Sequence, residues 1–137
     1  MPWEHFYHTA DVGVRGTGSS LAEAFAEAAV ALIAVITDPA CVEAKTAIEL
    51  TLTAEDPELL LYEWLNALIF EMAVRKLLLG SFQLTIEGNR LTARVAGEPV
   101  DPARHHPRVE VKGATLTALQ VRRRKNGTWL VQCVVDV

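Results

Sequence analysis

Cysteine is scarce in this chain: there are two among 137 residues, Cys41 and Cys133, far apart and without a Cys-x-x-Cys spacing. That excludes a disulfide-dense secreted scaffold and a four-thiolate zinc site, and leaves both as ordinary semi-buried thiols. An excess of positive charge is lacking too. Seventeen acidic against 13 basic side chains give a net charge of −4, so the chain is no general polyanion binder, and any contact with RNA must come from a local patch. No apolar run is long enough to cross a bilayer, and the longest, Leu59 to Val74, is broken by Glu63, Asn66 and Glu71. The opening Met-Pro-Trp-Glu-His is not a basic run followed by an apolar one, so no signal peptide is expected and the chain reads as cytoplasmic.

What is present is a globular composition, half hydrophobic and 22% charged. No repeat, linker or low-complexity tract divides residues 1–137, which predicts a single domain. Ser20-Leu-Ala-Glu23 is a capping box, and behind it Leu21, Phe25, Ala28, Leu32 and Val35 form one apolar stripe, so a helix is predicted over 20–36. Thr37-Asp38-Pro39 ends it, because the residue before proline avoids helical geometry. Asp56-Pro57 opens a second helix running to about Leu77, apolar on most faces and therefore either central or covered by a partner.

Elsewhere the period is two. Ile48, Leu50 and Leu52 alternate with polar residues, as do Phe82, Leu84 and Ile86, and then Leu91, Ala93 and Val95. Gly88-Asn89 reads as one hairpin turn. Asn126-Gly127 reads as another, joining a strand from about Thr115 to one ending at Val137. Residues 3–7 and 12–16 suggest a further strand pair, with Gly13 permitting a tight bend. These elements predict an α+β fold, with two main helices on one face of a mainly antiparallel sheet.

Chemistry-bearing residues gather at the chain ends and in segment 97–112. Asp136 closes an apolar strand, Trp129 to Val135, and Val137 follows it as the last residue. A terminal carboxylate about 4 Å from that of Asp136 would repel it by roughly 4 kcal/mol at an effective dielectric near 20. Either the two splay into water or a cation holds them together. Asp11, in His8-Thr-Ala-Asp11-Val-Gly13, reads by itself as a turn residue bonding its own backbone. Arg122-Arg-Arg-Lys125, before the second turn, is either a solvated hairpin tip or a contact for phosphate or an acidic partner. His5, His8, His105 and His106 lack helical metal-ligand spacing, which argues against a zinc hydrolase. Trp64 reads as core. There is no nucleophile–base pair and no phosphate-cradling glycine loop.

Four blocks in order resemble the archease family over nearly the whole chain. They are His8-Thr-Ala-Asp11-Val-Gly13, Trp64-Leu-Asn66 within the second helix, Gly97-Glu98-Pro-Val-Asp101 with His105-His106 and Glu110-Val-Lys112, and Val134-Val-Asp136-Val137. At Gly113 to Thr117 the chain departs from a family pattern that carries tyrosine and histidine, so no role is carried over there. The resemblance implies a non-catalytic accessory factor of an RtcB-type RNA ligase, one that promotes guanylylation and multiple turnover in tRNA splicing or RNA repair. It also implies a divalent metal, calcium by preference, on Asp11, Asp136 and Val137; these are hard oxygen donors suited to calcium or magnesium rather than zinc. Contact with RNA would be indirect or weak, and no membrane is involved. His8, Glu98 and Lys112 are candidates for partner or functional contact. The rival readings are a small metal-dependent enzyme on RNA or nucleotides, using Asp11, Asp136 and Lys112, and a chaperone for an RNA-modifying enzyme.

Overall fold

The structure, a computed structural model, describes residues 2–8 and 11–137, and for His8 the backbone alone. In chain order the elements are β1 (Trp3–His8), β2 (Asp11–Gly18), α1 (Leu21–Ile36), β3 (Thr46–Thr53), α2 (Pro57–Arg75), β4 (Leu77–Glu87), β5 (Arg90–Pro99), the short α3 (Pro102–His105), β6 (Gly113–Ala114), β7 (Gln120–Arg123) and β8 (Trp129–Asp136). Every strand pair is antiparallel, and the α+β class holds. The strands divide between two sheets. One runs β1-β2-β8-β6, with β7 also pairing β8; the other runs β3-β5-β4.

Both helices begin where the sequence places them. The Ser20 hydroxyl accepts from the Glu23 N–H at 3.1 Å, and the Asp56 carboxylate from the Leu59 N–H at 2.8 Å. Helix α1 buries Phe25, Ala28, Leu32 and Val35 of the predicted stripe. It also buries Ala24, Ala29, Ala31 and Ile33, because it packs on β2 and β8 of one sheet and on β4 of the other. Small residues make this approach possible: a Cβ on Gly16 of β2 would strike the α1 backbone at Ala24 and Ala28. Helix α2 buries Leu60, Leu61, Trp64, Leu65 and Leu68 and leaves Phe70 and Val74 exposed, so its apolar residues are not all turned inward. Trp64 is fully buried; its Nε1–H donates to the Phe25 carbonyl at 3.0 Å, and its ring meets Phe82 edge-on. No helix is long and apolar enough, among the described residues, to cross a membrane.

Two local expectations need correction. Gly13 makes no bend. It lies within β2 opposite Phe6, and its missing side chain is filled by the Phe6 ring. The strand expected from Thr115 begins at Gln120 instead. Ala118 adopts a left-handed φ of 55°, which ends regular pairing there, and Leu116 beside it is exposed. A short β6 precedes this break, so β8 takes β2 along one edge and β7, then β6, along the other.

Candidate functional site

The antiparallel registers bring the two chain ends together. Val12 faces Val135, so Asp11 lies one step beyond that pair, level with Asp136. On the outer side of β2, His8 faces Asp11. On the far side of β8, Gly113 faces Asp136, and the Lys112 N–H donates to the Asp136 carbonyl at 2.7 Å. A row of four backbone positions therefore crosses the end of the sheet, with neighbouring strands about 4.8 Å apart. Alternation turns Val12, Val14, Cys133 and Val135 to one face and sets Asp11 and Asp136 together on the other. Asp11 is half-buried, Asp136 and Lys112 are exposed, and Val137 is half-buried.

The donor chemistry of this row fits a hard cation. It offers carboxylates from adjacent strands, with the main-chain oxygen of Val137 one residue on, and no thiolate or imidazole among the described side chains. Among the described residues no group of three or more His, Cys, Asp or Glu side chains is placed to hold a metal, so main-chain oxygen and water must complete any shell here. The His8 side chain, together with Thr9 and Ala10 of the opening motif, lies outside the described residues, and so does the contact expected of it.

Glu98 is not brought to this row. It sits on β5, opposite Leu78, and is only 2% exposed. It accepts from the Arg104 guanidinium, from the Glu43 N–H at 2.7 Å and from His105 Nε2 at 3.1 Å. The Arg104 bond, then that of Glu43, holds its carboxyl well below the usual carboxylate range, against the opposing pull of burial. His105 Nδ1 accepts from the Asp101 N–H at 2.8 Å, which in the neutral ring leaves the proton on Nε2, pointed at Glu98. Arg104 also donates to the Cys41 carbonyl at 2.8 Å, and the Thr37 hydroxyl to that of His105. The cluster ties the loop after α1 to segment 98–106.

Sequence reasoning did not find that cluster. The signal was the charged trio Glu98, Arg104 and His105 within segment 97–112, but nothing local shows that this glutamate is buried. Nor did it find a cleft of about 460 Å³ between the end of α2 and segment 100–111, walled by Ile69, Met72, Val100, Pro107 and Val109. Of the two cysteines, Cys133 is fully buried in β8, and burial pushes its thiol up to about 12, while Cys41 is half-buried.

Comparison with known proteins gives one consistent answer. The profile described as the Archease protein family (MTH1598/TM1083) matches residues 3–137. A protein named archease from Pyrococcus abyssi is 40% identical over 139 residues, covering 98% of each chain. Its namesake from Sulfolobus acidocaldarius is 36% identical, again with 98% of each chain covered. The solution structure of Methanobacterium thermoautotrophicum protein 1598 superposes with a TM-score of 0.86 at 31% identity, over 99% of both chains.

Proposed function

The chain belongs to the archease family, and from that premise we propose that it is a non-catalytic protein cofactor of an RtcB-type RNA ligase. In this reading it promotes guanylylation of the ligase and its multiple turnover in tRNA splicing or RNA repair in the cytoplasm. The observation that carries the reading is the row at the sheet end: Asp11 and Asp136 are the next residues beyond the last pair of β2 on β8, Val12 with Val135, and Lys112 is bonded through its backbone to Asp136. Asp11, Asp136 and the Val137 main-chain oxygen would hold a divalent cation, calcium by preference. When bound, that ion supplies the positive charge that lets two carboxylates remain adjacent. The chain's own part is to present this end to the ligase. Lys112 contributes an exposed ammonium beside it, and Glu98 acts from a distance by ordering segment 98–106. His8, across from Asp11 in the backbone, completes the contact.

The test is a guanylylation and ligation assay with purified ligase. The chain should speed label transfer from GTP to the ligase and join no RNA ends by itself. Asp136→Asn and Lys112→Ala should each keep the fold, read by circular dichroism, and weaken the stimulation. Joining of broken RNA by the chain alone, abolished by a chelator, would replace the accessory reading with that of a metal-dependent enzyme.

A further inference from the structure

The opposite end of β8 carries a different chemistry. Arg122, Arg123, Arg124 and Lys125 lead from β7 through a tight turn into Trp129. Of the nine other Lys and Arg side chains five are paired: Arg15 with Glu4, Lys45 with Glu43 and Glu98, Arg75 with Glu71, Arg94 with Glu49 and Arg104 with Glu98. The four with no such pair among the described residues, Lys76, Arg90, Arg108 and Lys112, are scattered along the chain. Among the described residues none of the four hairpin cations pairs with a carboxylate. Arg122, Arg123 and Lys125 are exposed, and Arg124 is half-buried.

The turn holds them in fixed positions. The Gly127 N–H donates to the Arg124 carbonyl at 2.9 Å, the Arg124 N–H to that of Thr128 at 2.7 Å, and Asn126 Oδ1 accepts from the Thr128 N–H at 3.0 Å. Arg124 Nε is anchored on the Thr128 hydroxyl at 3.0 Å, and the Arg123 guanidinium lies over the half-buried Trp129 ring, 6.0 Å from its centroid. Arg122 faces Leu130 and Arg123 faces Trp129, so successive cations leave opposite faces of the ribbon.

We propose that the β7–β8 hairpin is a nucleic-acid contact that grips the phosphodiester backbone of a single strand. A flat acidic protein surface would meet one face of this ribbon and leave the cations of the other in water. A flexible strand with one charge per nucleotide can pass round the tip and use both. Three of the four cations are arginines, whose planar forks match phosphate oxygens. Trp129, packed on the core beneath Arg123, holds that guanidinium at the surface by a cation–π contact. The inference is independent of the ligase reading, because its test uses this chain alone.

The experiment is fluorescence anisotropy with a labelled single-stranded RNA of about 20 nucleotides, repeated across salt. Four phosphate contacts give a slope of about −2.8 in log affinity against log salt, or an affinity drop of about 50-fold between about 50 and 200 mM. Arg122→Gln with Lys125→Gln should weaken binding about tenfold and reduce the slope to about −1.4, with an unchanged melting temperature. Removing the same charge elsewhere, by Arg90→Gln with Arg94→Gln on β5, should change nothing. Absence of binding at low salt, or an equal loss in the β5 variant, would overturn the proposal. So would displacement of the RNA by polyglutamate at equal charge concentration, which would assign the hairpin to an acidic protein surface.

Discussion

The two ends of β8 are built in opposite ways. At its start, the cations Arg122 to Lys125 are consecutive in the chain, and their geometry is set by a turn whose hydrogen bonds span five residues. At its finish, about 23 Å away by strand rise, Asp11 and Asp136 come from opposite ends of the chain and meet only through the register of β2 on β8. Slipping that register by one residue would turn Asp11 to the core face and bring Val12 out. The basic end is therefore a local device that survives as long as the hairpin does. The acidic end is a tertiary device that exists only when the sheet is fully assembled.

The largest expected effect tests whether the two ends share one scaffold. Trp64→Ala empties the centre of the core and leaves the Phe25 carbonyl without its donor, at a cost of about 4 kcal/mol. Unfolding should still occur in a single transition, seen identically by probes at each end. Two separated transitions would show that the ends stand on independent units. Next comes the metal. Calcium at about 100 times its dissociation constant should stabilise the parent by about 2.7 kcal/mol, an effect lost in Asp11→Asn and Asp136→Asn and kept in Arg122→Gln. Equal calcium shifts in melting temperature for the parent and both Asp→Asn proteins would remove the metal from the acidic end.

How far the sequence showed these two ends follows from their construction. The hairpin tip was legible because Asn126-Gly127 and four adjacent cations are local signals. The helix starts were legible for the same reason, since Ser20 and Asp56 cap within three residues of themselves. Asp11 was not legible from its own surroundings, which read as a simple turn. Only the likeness of the opening and closing motifs to a family paired it with Asp136. The break at 115–119 escaped because alternation cannot register a left-handed alanine at 118. Glu98 escaped as a buried anchor because its partners Glu43 and Arg104 reach it only in the folded chain.

Glu98 supplies a smaller effect and a control that touches neither end. Its folded pKa is lowered, so the stability it contributes is complete above the ordinary carboxylate value of 4.5 and fades as the pH falls below that toward the folded value. Glu98→Gln should therefore be less stable than the parent at neutral pH, with the gap narrowing under acid, as read from denaturant midpoints at several pH values. A constant gap would mean that the charge is not what stabilises the cluster. The smallest effect is at Lys76, which closes α2 in a left-handed conformation with φ 55°. Lys76→Gly should raise stability by about 1 kcal/mol and leave both calcium and RNA binding unchanged. A loss of either would extend the corresponding end as far as α2.

Cys133 turns this strand into its own stopwatch. Its sulfur lies in the middle of β8, sealed on the core face opposite Val14 and nearly unable to form thiolate at neutral pH. Alkylating reagents attack only thiolate, so in a protein whose Cys41 has been replaced by serine, covalent labelling must wait for β8 to detach. The labelling rate then counts strand-opening events, and its dependence on calcium or RNA would show how firmly each occupant clamps the strand from its own end.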